Sequence, residues 1–241
     1  MKEFNCTTKE IISLTQEIYR IRIVPDNNRL FDFRGGQYIL LHMSNDRRIP
    51  LSIASAPEEK SFIELHVRLI EGHPLAEEMV ELFKTADSFQ VEGAYGSCYL
   101  NDNNRSIVII AGGTGFSPMK SMIESAFAKN IQRPIELFLG AQTSTELYQH
   151  QLINEWQNSY SNFSYTPVIV ETEDSWQGAI GFPHEHALKS TKEELRTKDY
   201  YISGSEPMVM AVYNALLEKG VEKAQIHSDI LNIKRENGEL D

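Results

Sequence analysis

Three glycines in the segment Gly112-Gly113-Thr114-Gly115-Phe116 stand between an apolar run and a stretch of helical periodicity. The apolar run, Ile107 to Ile110, is typical of a strand that is covered on both faces. Ser117 is a residue type that caps helices, and Pro118 suits the first helical position. Such a loop lets the backbone approach a pyrophosphate, and the helix start offers it free amides. A tight turn without a ligand explains the same residues, and the loop matches neither a P-loop nor the usual dinucleotide fingerprint.

A second loop repeats this order of strand, glycine and proline. In Tyr201-Ile202-Ser203-Gly204-Ser205-Glu206-Pro207-Met208, an apolar strand runs into Gly204, and Pro207 then opens a helix. Simple helix capping would also explain this loop on its own. Two such loops at strand ends of one sheet predict a shared site beyond the carboxyl ends of the strands, where open α/β sheets bind ligands.

Two further segments carry groups that could do chemistry. One segment is Arg47-Arg48-Ile49-Pro50-Leu51-Ser52-Ile53-Ala54-Ser55, in which two arginines of a turn are followed by the hydroxyl of Ser52. By itself this segment is typical of an ordinary strand. His184-Glu185-His186 contains residue types that bind Zn²⁺, but the spacing places no third ligand beside it. We therefore predict no metal site.

The elements before residue 102 have the period of half-buried strands. Apolar and polar residues alternate over Ile18 to Ile23 and over Phe62 to Leu69, and Gln37 to Met43 follows a Gly-Gly turn. Pro74 opens one helix, whose apolar side carries Leu75, Met79, Val80, Leu82 and Phe83. Several short strands that close on themselves predict a small antiparallel β-barrel over residues 1–101.

The pattern changes after the polar linker Asn101-Asp102-Asn103-Asn104. Strands are predicted at 107–110, 135–139, 165–170 and 200–203, and helices at 117–128, 146–156 and 207–218. Alternating strands and helices predict an α/β domain with a parallel sheet over residues 102–241. The charged tail from Lys234 to Asp241 is predicted to fray.

Composition limits the partners and the compartment. The chain has 241 residues, is 41% hydrophobic and carries a formal net charge of −11, so nucleic acid and anionic membranes are poor partners. Its two cysteines, Cys6 and Cys98, lie far apart in the sequence and form no disulfide framework. The polar N-terminus and the absence of a long apolar run favour a cytoplasmic protein.

Taken together, the motifs resemble the bacterial NAD(P)H:flavin oxidoreductases within the ferredoxin–NADP reductase superfamily. The chain looks most similar to the flavin reductases that use flavin as a substrate. The resemblance covers nearly the whole chain, and its motifs come in this order: Gly35-Gly36-Gln37-Tyr38, the segment 47–55, Ile63-Glu64-Leu65-His66-Val67, the segment 112–116, Asp174-Ser175-Trp176-Gln177-Gly178 with Ile180-Gly181, the segment 204–208 and Ser228-Asp229.

The resemblance implies a flavin-binding β-barrel, an NAD(P)-binding α/β domain, and hydride transfer from NADH or NADPH to FMN, riboflavin or FAD. In the family, the serine matching Ser52 lies near flavin N5, and the loop matching Gly112 to Phe116 holds the nucleotide, with Thr114 near the nicotinamide. Ser52 and Thr114 are thus the expected catalytic residues. The expected flavin-binding residues are Arg48, Pro50, Leu51, Ser52, Leu65, His66 and Val67. The expected nucleotide-binding residues are Gly112, Gly113, Thr114, Gly115, Phe116, Gly204, Ser205, Pro207 and Met208.

Four positions and one segment depart from the family pattern. The family usually has arginine three places before the serine and an aromatic residue just before it, where this chain has Ile49 and Leu51. These two changes favour flavin as a substrate or a loosely bound group. Ser203 stands where the family often has a cysteine. Gln142 stands where relatives often have arginine, and the missing cation favours NADH over NADPH. The segment Ile230-Leu231-Asn232-Ile233 replaces the usual terminal aromatics.

Two other functions remain open from the sequence. One is an electron-transfer subunit that holds flavin tightly and serves a partner protein; two cysteines are too few for an iron–sulfur cluster in this chain. The other is a degenerate relative that binds a nucleotide without turnover. For the flavin reductase itself, we expect a monomer or homodimer and an acceptor enzyme for the reduced flavin.

Overall fold

The computed structural model describes residues 2–27, 30–171, 174–189 and 192–240. The chain divides into two compact units. The first contains Met1–Leu100 and Lys120–Asn130, and the second contains Asn101–Met119 and Ile131–Asp241. The predicted domain division at residue 101 stays a prediction, since compactness groups residues 120–130 with the first unit.

The first unit is built on a six-stranded antiparallel sheet. Its strands are β1 (Glu3–Ser13), β2 (Ile18–Pro25), β3 (Tyr38–His42), β4 (Arg48–Ser52), β5 (Ile63–Arg68) and β6 (Phe89–Tyr95). They lie in the order β4-β3-β6-β1-β2-β5, and an antiparallel bridge between Ile53 and Leu65 links the two end strands. This linkage confirms the predicted antiparallel barrel, although β1 and β6 are not among the predicted strands.

Every second side chain of these strands points into the barrel and fills its interior. Ile21 and Ile23 of β2 and Ile63, Leu65 and Val67 of β5 are all fully or almost fully buried in one apolar cluster. The residues between them point to the opposite face of the sheet, because successive side chains of a strand alternate. The pattern that predicted these strands thus also sorts their side chains between the core and the outer face.

One helix, α1 (Pro74–Thr85), covers this core as predicted. Ala76, Met79, Val80 and Phe83 are its buried residues. The cap is His73, whose ring nitrogen Nδ1 accepts a hydrogen bond from the Ala76 amide at 3.4 Å. Proline at the first position loses no helical hydrogen bond, so the helix begins sharply there.

The second unit contains a parallel six-stranded sheet, which confirms the predicted α/β class. Its strands are β7 (Ser106–Gly112), β8 (Ile135–Ala141), β9 (Phe163–Ile169), β10 (Ala179–Ile180), β11 (Lys198–Ser203) and β12 (Ile226–His227). Their order is β10-β9-β8-β7-β11-β12, and each neighbouring pair is parallel. The helices that accompany them are α2 (Phe116–Ala128), α3 (His150–Ser159), α4 (Pro183–Ala187), α5 (Lys192–Leu195), α6 (Glu206–Glu218) and α7 (Asp229–Glu236).

Two predicted boundaries in this unit are wrong. Helix α3 begins at His150 rather than at Glu146, because Gln149 takes a left-handed conformation with φ 64° that interrupts the helix. The predicted frayed tail is helical from Lys234 to Glu236, and Lys234 pairs with Glu206 and Glu239 at 2.6 Å each. Asp241, the last residue of that tail, lies outside the described residues.

Within the described part of the chain, the helices are all too short or too polar to cross a lipid bilayer.

Candidate functional site

The glycine loop joins β7 to α2 through a short 3-10 turn, Gly113–Gly115. Helix α2 therefore begins at Phe116, and Ser117 lies inside its first turn rather than at the predicted cap position. The Ser117 hydroxyl is buried and has no hydrogen-bond partner among the described residues. The amide of Phe116 bonds the Gly113 and Thr114 carbonyls, so the amides without a preceding helical carbonyl are those at the start of the turn, as a site for an anion requires.

Two of these glycines serve different needs of the loop. Gly113 has φ +52°, and a Cβ there would meet no atom within 4 Å, so this residue faces open space. A Cβ on Gly115 would lie 2.5 Å from the Ser203 carbonyl oxygen, so only glycine lets the loop lie against the end of β11. The loop is therefore open toward a ligand on one side and closed against backbone on the other.

The second loop lies beside the first, as predicted. Ser203 at the end of β11 pairs with Ala111 near the end of β7. Met208 joins the two loops, because its sulfur would lie 2.6 Å from a Cβ on Gly112 and 2.7 Å from one on Gly204. The two loops thus form one edge of the sheet.

This edge is also the switch point of the sheet. From β7 the chain adds β8, β9 and β10 on one side, and then returns to place β11 and β12 on the other side. In open α/β sheets, ligands bind beyond the carboxyl ends of the two strands where the order reverses. Here those strands are β7 and β11, which carry the two glycine loops.

The remaining nucleotide-loop candidates differ in exposure. Thr114 and Met208 are half-buried, and Ser205 and Pro207 are exposed. Phe116 is fully buried, and its ring centroid lies 5.9 Å from that of Tyr148 and 6.2 Å from that of Trp156. The Phe116 side chain therefore packs in the core, and its amide donates to the Gly113 and Thr114 carbonyls of the turn. Phe116 thus shapes the loop, and its predicted contact with the nucleotide stays a prediction.

In the first unit, Ser52 shares one face of the sheet with Pro50 and Arg48. Cross-strand pairing places Tyr38 opposite Ser52, Leu40 opposite Pro50 and His42 opposite Arg48. On the other side of β3, Tyr38 also pairs with Tyr95, and their rings stack with centroids 5.9 Å apart. The half-buried Ser52 hydroxyl makes no hydrogen bond within the described residues. The serine is thus free to bond a ligand beside two tyrosine rings.

Arg48 is already paired on this face. Its side chain is 53% exposed, and Nη1 lies 3.1 Å from Glu92 Oε2. Glu92 is buried, accepts a hydrogen bond from the Tyr95 hydroxyl, and lies 3.6 Å from His42 Nε2. The Tyr95 hydrogen bond, aided by the charge of Arg48, lowers the pKa of Glu92. An anion that approached Arg48 would therefore meet a neighbouring carboxylate.

Glu92 also belongs to a group of possible metal ligands. Ligand atoms of Glu3, His42 and Glu92 lie within 4.8 Å of one another. The guanidinium of Arg48 already supplies a positive charge to Glu92, so this group carries no metal assignment. In the predicted His-Glu-His motif, His186 bonds the Ile180 carbonyl, and Glu185 accepts from the Phe182 amide.

The other flavin-site candidates do not share the Ser52 face. Leu51, Leu65 and Val67 are 8%, 0% and 1% exposed and pack in the barrel core. Their side chains are covered by the core and do not face a ligand. The proposed roles of these residues stay predictions.

His66 belongs to a buried charge cluster. Its Nε2 lies 3.2 Å from Glu64 Oε1, and Lys120 Nζ lies 3.1 Å from the same oxygen and 2.8 Å from Glu124. Arg22 Nε reaches the second oxygen of Glu64 at 3.1 Å. The cluster joins β2 and β5 to the part of α2 that belongs to the first unit.

The pKa values in this cluster follow from burial and pairing. Burial alone would raise the pKa of Glu64, but the hydrogen bond from His66 and the charge of Lys120 outweigh it and lower the pKa. Burial lowers the pKa of His66 and raises that of Glu124. His66 is thus a neutral, buried partner of Glu64, and its ring is not open to a ligand.

Sequence reasoning missed Tyr38, Glu92 and Tyr95 around Ser52, and Lys120 beside His66. The available signal was the alternation of β3, which places Tyr38, Leu40 and His42 on one face. The pairing of β3 with β6 is not readable from that pattern. Lys120 gave no signal, because an ordinary amphipathic helix accommodates a lysine at that place.

Comparison with known families assigns both halves of the chain. Residues 3–99 match the family described as Oxidoreductase FAD-binding domain. Residues 109–214 match the family described as Oxidoreductase NAD-binding domain. The order and the approximate extent of the two matches agree with the barrel and the parallel sheet.

Two curated proteins illustrate the relationship at the sequence level. An NAD(P)H-flavin reductase from Aliivibrio fischeri is 32% identical over 232 residues, which cover 93% of this chain and 97% of that protein. A CDP-6-deoxy-L-threo-D-glycero-4-hexulose-3-dehydrase reductase from Yersinia pestis is 31% identical over 228 residues, which cover 95% of this chain and 68% of that protein.

Solved structures share the fold. A ferredoxin reductase in carbazole 1,9a-dioxygenase superposes with a TM-score of 0.82 at 22% identity, over 95% of this chain and 69% of that one. A ferredoxin-NADP+ reductase from Plasmodium falciparum gives 0.76 at 20% identity, over 94% and 95%. With the nearly full-length match to the flavin reductase, these likenesses show that the chain belongs to the NAD(P)H-flavin reductase family and has the ferredoxin reductase fold.

Proposed function

We propose that this chain is an NAD(P)H:flavin oxidoreductase that takes flavin as an exchangeable substrate and releases it reduced. The observation that carries this function is the presence of two open sites, one suited to a dinucleotide and one suited to a flavin ring. One is the Gly113 loop at the switch point of the parallel sheet. The other is the Ser52 hydroxyl beside the Tyr38–Tyr95 pair of the barrel.

The residues of the loop fit a nicotinamide dinucleotide. Gly113 leaves open space where a pyrophosphate needs close backbone contact, and the start of the turn presents amides to it. Gly115 keeps the loop flat against the end of β11. We assign Gly112 to Gly115 to the phosphates, and the half-buried Thr114 hydroxyl to the nicotinamide end.

The residues around Ser52 fit the ring system of a flavin better than its phosphate. Tyr38 and Tyr95 offer aromatic surface, and Ser52 offers a hydroxyl that makes no bond within the described residues. Arg48 is paired with Glu92, so it is not a free ligand for a flavin phosphate. Leu51 is buried and has no aromatic ring to stack on the flavin. A site with these contacts is expected to bind flavin loosely.

When both are bound, the nicotinamide supplies a hydride and the flavin accepts it, so the chain needs no acid–base pair of its own. The contribution of the protein is orientation and exclusion of water. In this proposal Ser52 donates a hydrogen bond to N5 of the oxidised flavin and thereby makes that atom a better hydride acceptor. The backbone of the glycine loop fixes the dinucleotide.

A second function is supported by the Yersinia pestis relative, which is named as the reductase of a dehydrase. Under this alternative, the chain would keep its flavin and pass electrons to a partner protein. An iron–sulfur cluster in this chain would need about four thiolates, whereas Cys6 and Cys98 are two separate, buried cysteines. We rank this function second because the Ser52 face lacks a free arginine for a flavin phosphate.

The test is oxidation of NADH and of NADPH by the purified protein, with and without riboflavin, FMN or FAD. We expect oxidation that depends on added flavin and saturates with it. A protein that is yellow as purified and oxidises NADH without added flavin would favour the electron-transfer subunit. Folded protein that oxidises neither nucleotide with any flavin would overturn the proposal. A cytoplasmic location and a monomeric or homodimeric state remain part of the proposal.

A further inference from the structure

The segment that directly follows Ser52 is buried and tied down by hydrogen bonds. Ile53, Ala54 and Ser55 are 0%, 0% and 2% exposed. The Ala54 amide donates to the Glu64 carbonyl at 2.7 Å, and the Ser55 hydroxyl accepts from the Glu64 amide at 3.0 Å. The carbonyls of Ala54 and Ser55 need donors of their own, because a buried carbonyl without a partner is costly.

Two side chains of α2 supply these donors. The Ser121 hydroxyl donates to the Ser55 carbonyl at 2.6 Å, and Lys120 Nζ donates to the Ala54 carbonyl at 3.3 Å. All four residues belong to the first unit. Lys120 also pairs with two carboxylates, whereas the fully buried Ser121 gives its one hydroxyl proton to Ser55. The Ser121 hydroxyl is therefore devoted to the segment behind Ser52.

The same turn of α2 also supports the segment that leads into Tyr38. A Cβ on Gly35 would lie 2.9 Å from the Ser121 carbonyl oxygen, so the glycine lets backbone pack against backbone. Two residues further on, the Gln37 carbonyl accepts a hydrogen bond from the Ile53 amide at 3.0 Å. Both segments that border the candidate flavin site thus rest on one turn of α2.

The position of the Ser52 hydroxyl depends on the backbone that carries it. Ser52 is the last residue of β4, an end strand whose only neighbour in the sheet order is β3. Its hydroxyl makes no hydrogen bond within the described residues, so no side-chain contact of its own holds it. A displacement of the buried segment that follows would therefore displace this hydroxyl.

We infer that Ser121 is a positioning residue for hydride transfer, because it fixes the Ser55 carbonyl and thereby keeps the Ser52 hydroxyl directed at flavin N5. The inference rests on the proposed function and adds a residue that acts through Ser52 rather than by touching the flavin. Small displacements matter here, because a misplacement of about 1 Å can reduce catalysis on the order of a hundredfold.

The test is a double-mutant cycle on Ser121 and Ser52, measured as NADH oxidation with riboflavin. Ser121→Ala should lower the turnover number about three- to fivefold with little change in the riboflavin KM, which is less than the full loss of the Ser52 hydrogen bond. In the Ser52→Ala background, the same change should alter the turnover number by less than about 1.5-fold, because no hydroxyl remains to be positioned.

A matched control lies one turn further along α2. The Ser125 hydroxyl donates to Glu58 Oε1 at 3.2 Å, and Ser125 is 5% exposed, so this is also a buried serine that bonds a distant part of the chain. Ser125→Ala should leave the turnover number unchanged. Ser121→Cys retains a weak donor in the same place and should fall between wild type and Ser121→Ala. It carries the test if Ser121→Ala does not fold.

Three results would overturn the inference: a folded Ser121 variant with the wild-type turnover number, an equal decrease in both backgrounds, or the same decrease in Ser125→Ala. Failure of the proposed function has a different signature, since the wild type would then oxidise NADH with no flavin. The cycle would in that case be read from the absorption spectrum of bound riboflavin. Ser121→Ala should shift this spectrum in the direction that Ser52→Ala does, and an unshifted spectrum would overturn the inference.

Discussion

The glycine loop and the Ser52 face are constructed by different means. The loop is made of backbone, and its shape depends on Gly113 having open space and on Gly115 meeting the Ser203 carbonyl. The Ser52 face is made of side chains from β3, β4 and β6, and Arg48 and Glu92 form an ion pair on it. The loop is therefore sensitive to added volume, whereas the barrel is sensitive to unbalanced charge.

This difference explains which parts the sequence could predict. A backbone loop is continuous in sequence, so its glycines and the adjoining apolar run predict its place at a strand end. The Ser52 face depends on the register of β3 with β4 and β6, so Tyr95 and Glu92 enter it through pairings far apart in the chain. A local pattern predicts that a strand exists but does not reveal which strand lies beside it.

The wrong helix boundaries have a similar origin. Helix α3 starts later than predicted because Gln149 takes a left-handed conformation. Glutamine rarely adopts this conformation, so its presence in the sequence does not predict the interruption. Helix α7 extends through Lys234 because Glu206 and Glu239 pair with that lysine. Glu206 belongs to α6 and is distant in sequence, so charge composition alone predicted a frayed tail.

The largest expected effect is on the buried charges of the barrel. Lys120→Met keeps the length of the side chain but leaves Glu64 with a buried charge that has lost one partner. We expect the free energy of unfolding to fall by about 3–5 kcal/mol, the usual cost of breaking a buried pair from one side. Denaturant titration of wild type and variant measures this difference.

The matched control is Lys129→Met. Lys129 directly follows the last residue of α2 and pairs with Glu58 at 3.4 Å, but its side chain is 58% exposed. Its loss should cost less than about 1 kcal/mol. Equal losses from the two lysine variants would contradict the role assigned to the buried cluster.

The same cluster sets the direction of the pH dependence. Folding lowers the pKa of His66 from its ordinary value of 6.5. Below about pH 6.5 the unfolded chain therefore binds a proton at this residue that the folded chain does not bind. Stability should therefore decrease as the pH falls below about 6.5, and again below 4.5, where the lowered pKa of Glu64 has the same effect. His66→Gln should flatten the first of these decreases, and a slope unchanged by it would assign the acid sensitivity to other groups.

The second effect tests the backbone nature of the loop. Gly115→Ala places a Cβ 2.5 Å from the Ser203 carbonyl, so the loop must move. Strain of this kind costs about 1–3 kcal/mol, and NADH affinity should fall by a comparable amount. Gly220→Ala is the control, because the φ of +79° at Gly220 also strains an alanine but this residue lies at the far end of α6, away from the loop. Equal effects of the two variants on nucleotide binding would argue against the closed contact at Gly115.

The third effect tests the hydroxyl of the Ser52 face. Ser52→Ala should lower the turnover number about tenfold, as expected for one lost hydrogen bond of about 1.4 kcal/mol, and should change the riboflavin KM little. Ser164→Ala, at an exposed position of β9, is the control and should be silent. A change confined to KM would move Ser52 from hydride transfer to simple flavin binding.

The smallest effect is expected at Arg48. Because Arg48 is paired with Glu92, it should contribute little to a flavin phosphate. Arg48→Ala should therefore change the KM values for FMN and riboflavin in parallel and by only about two- to threefold, within the range of an exposed ion pair. A selective loss of FMN use would show that Arg48 leaves Glu92 to bind the phosphate.

The most direct test of the central claim is anaerobic mixing of the protein with NADH and stoichiometric riboflavin, followed by the loss of flavin absorbance. The account predicts that riboflavin is reduced much faster than without protein, and more slowly when the NADH is deuterated at C4. The reduced riboflavin should then be released and pass through an ultrafiltration membrane that retains the protein. Reduction no faster than in the protein-free mixture, in protein that is folded and binds NADH, would contradict hydride transfer to flavin as the function of this chain.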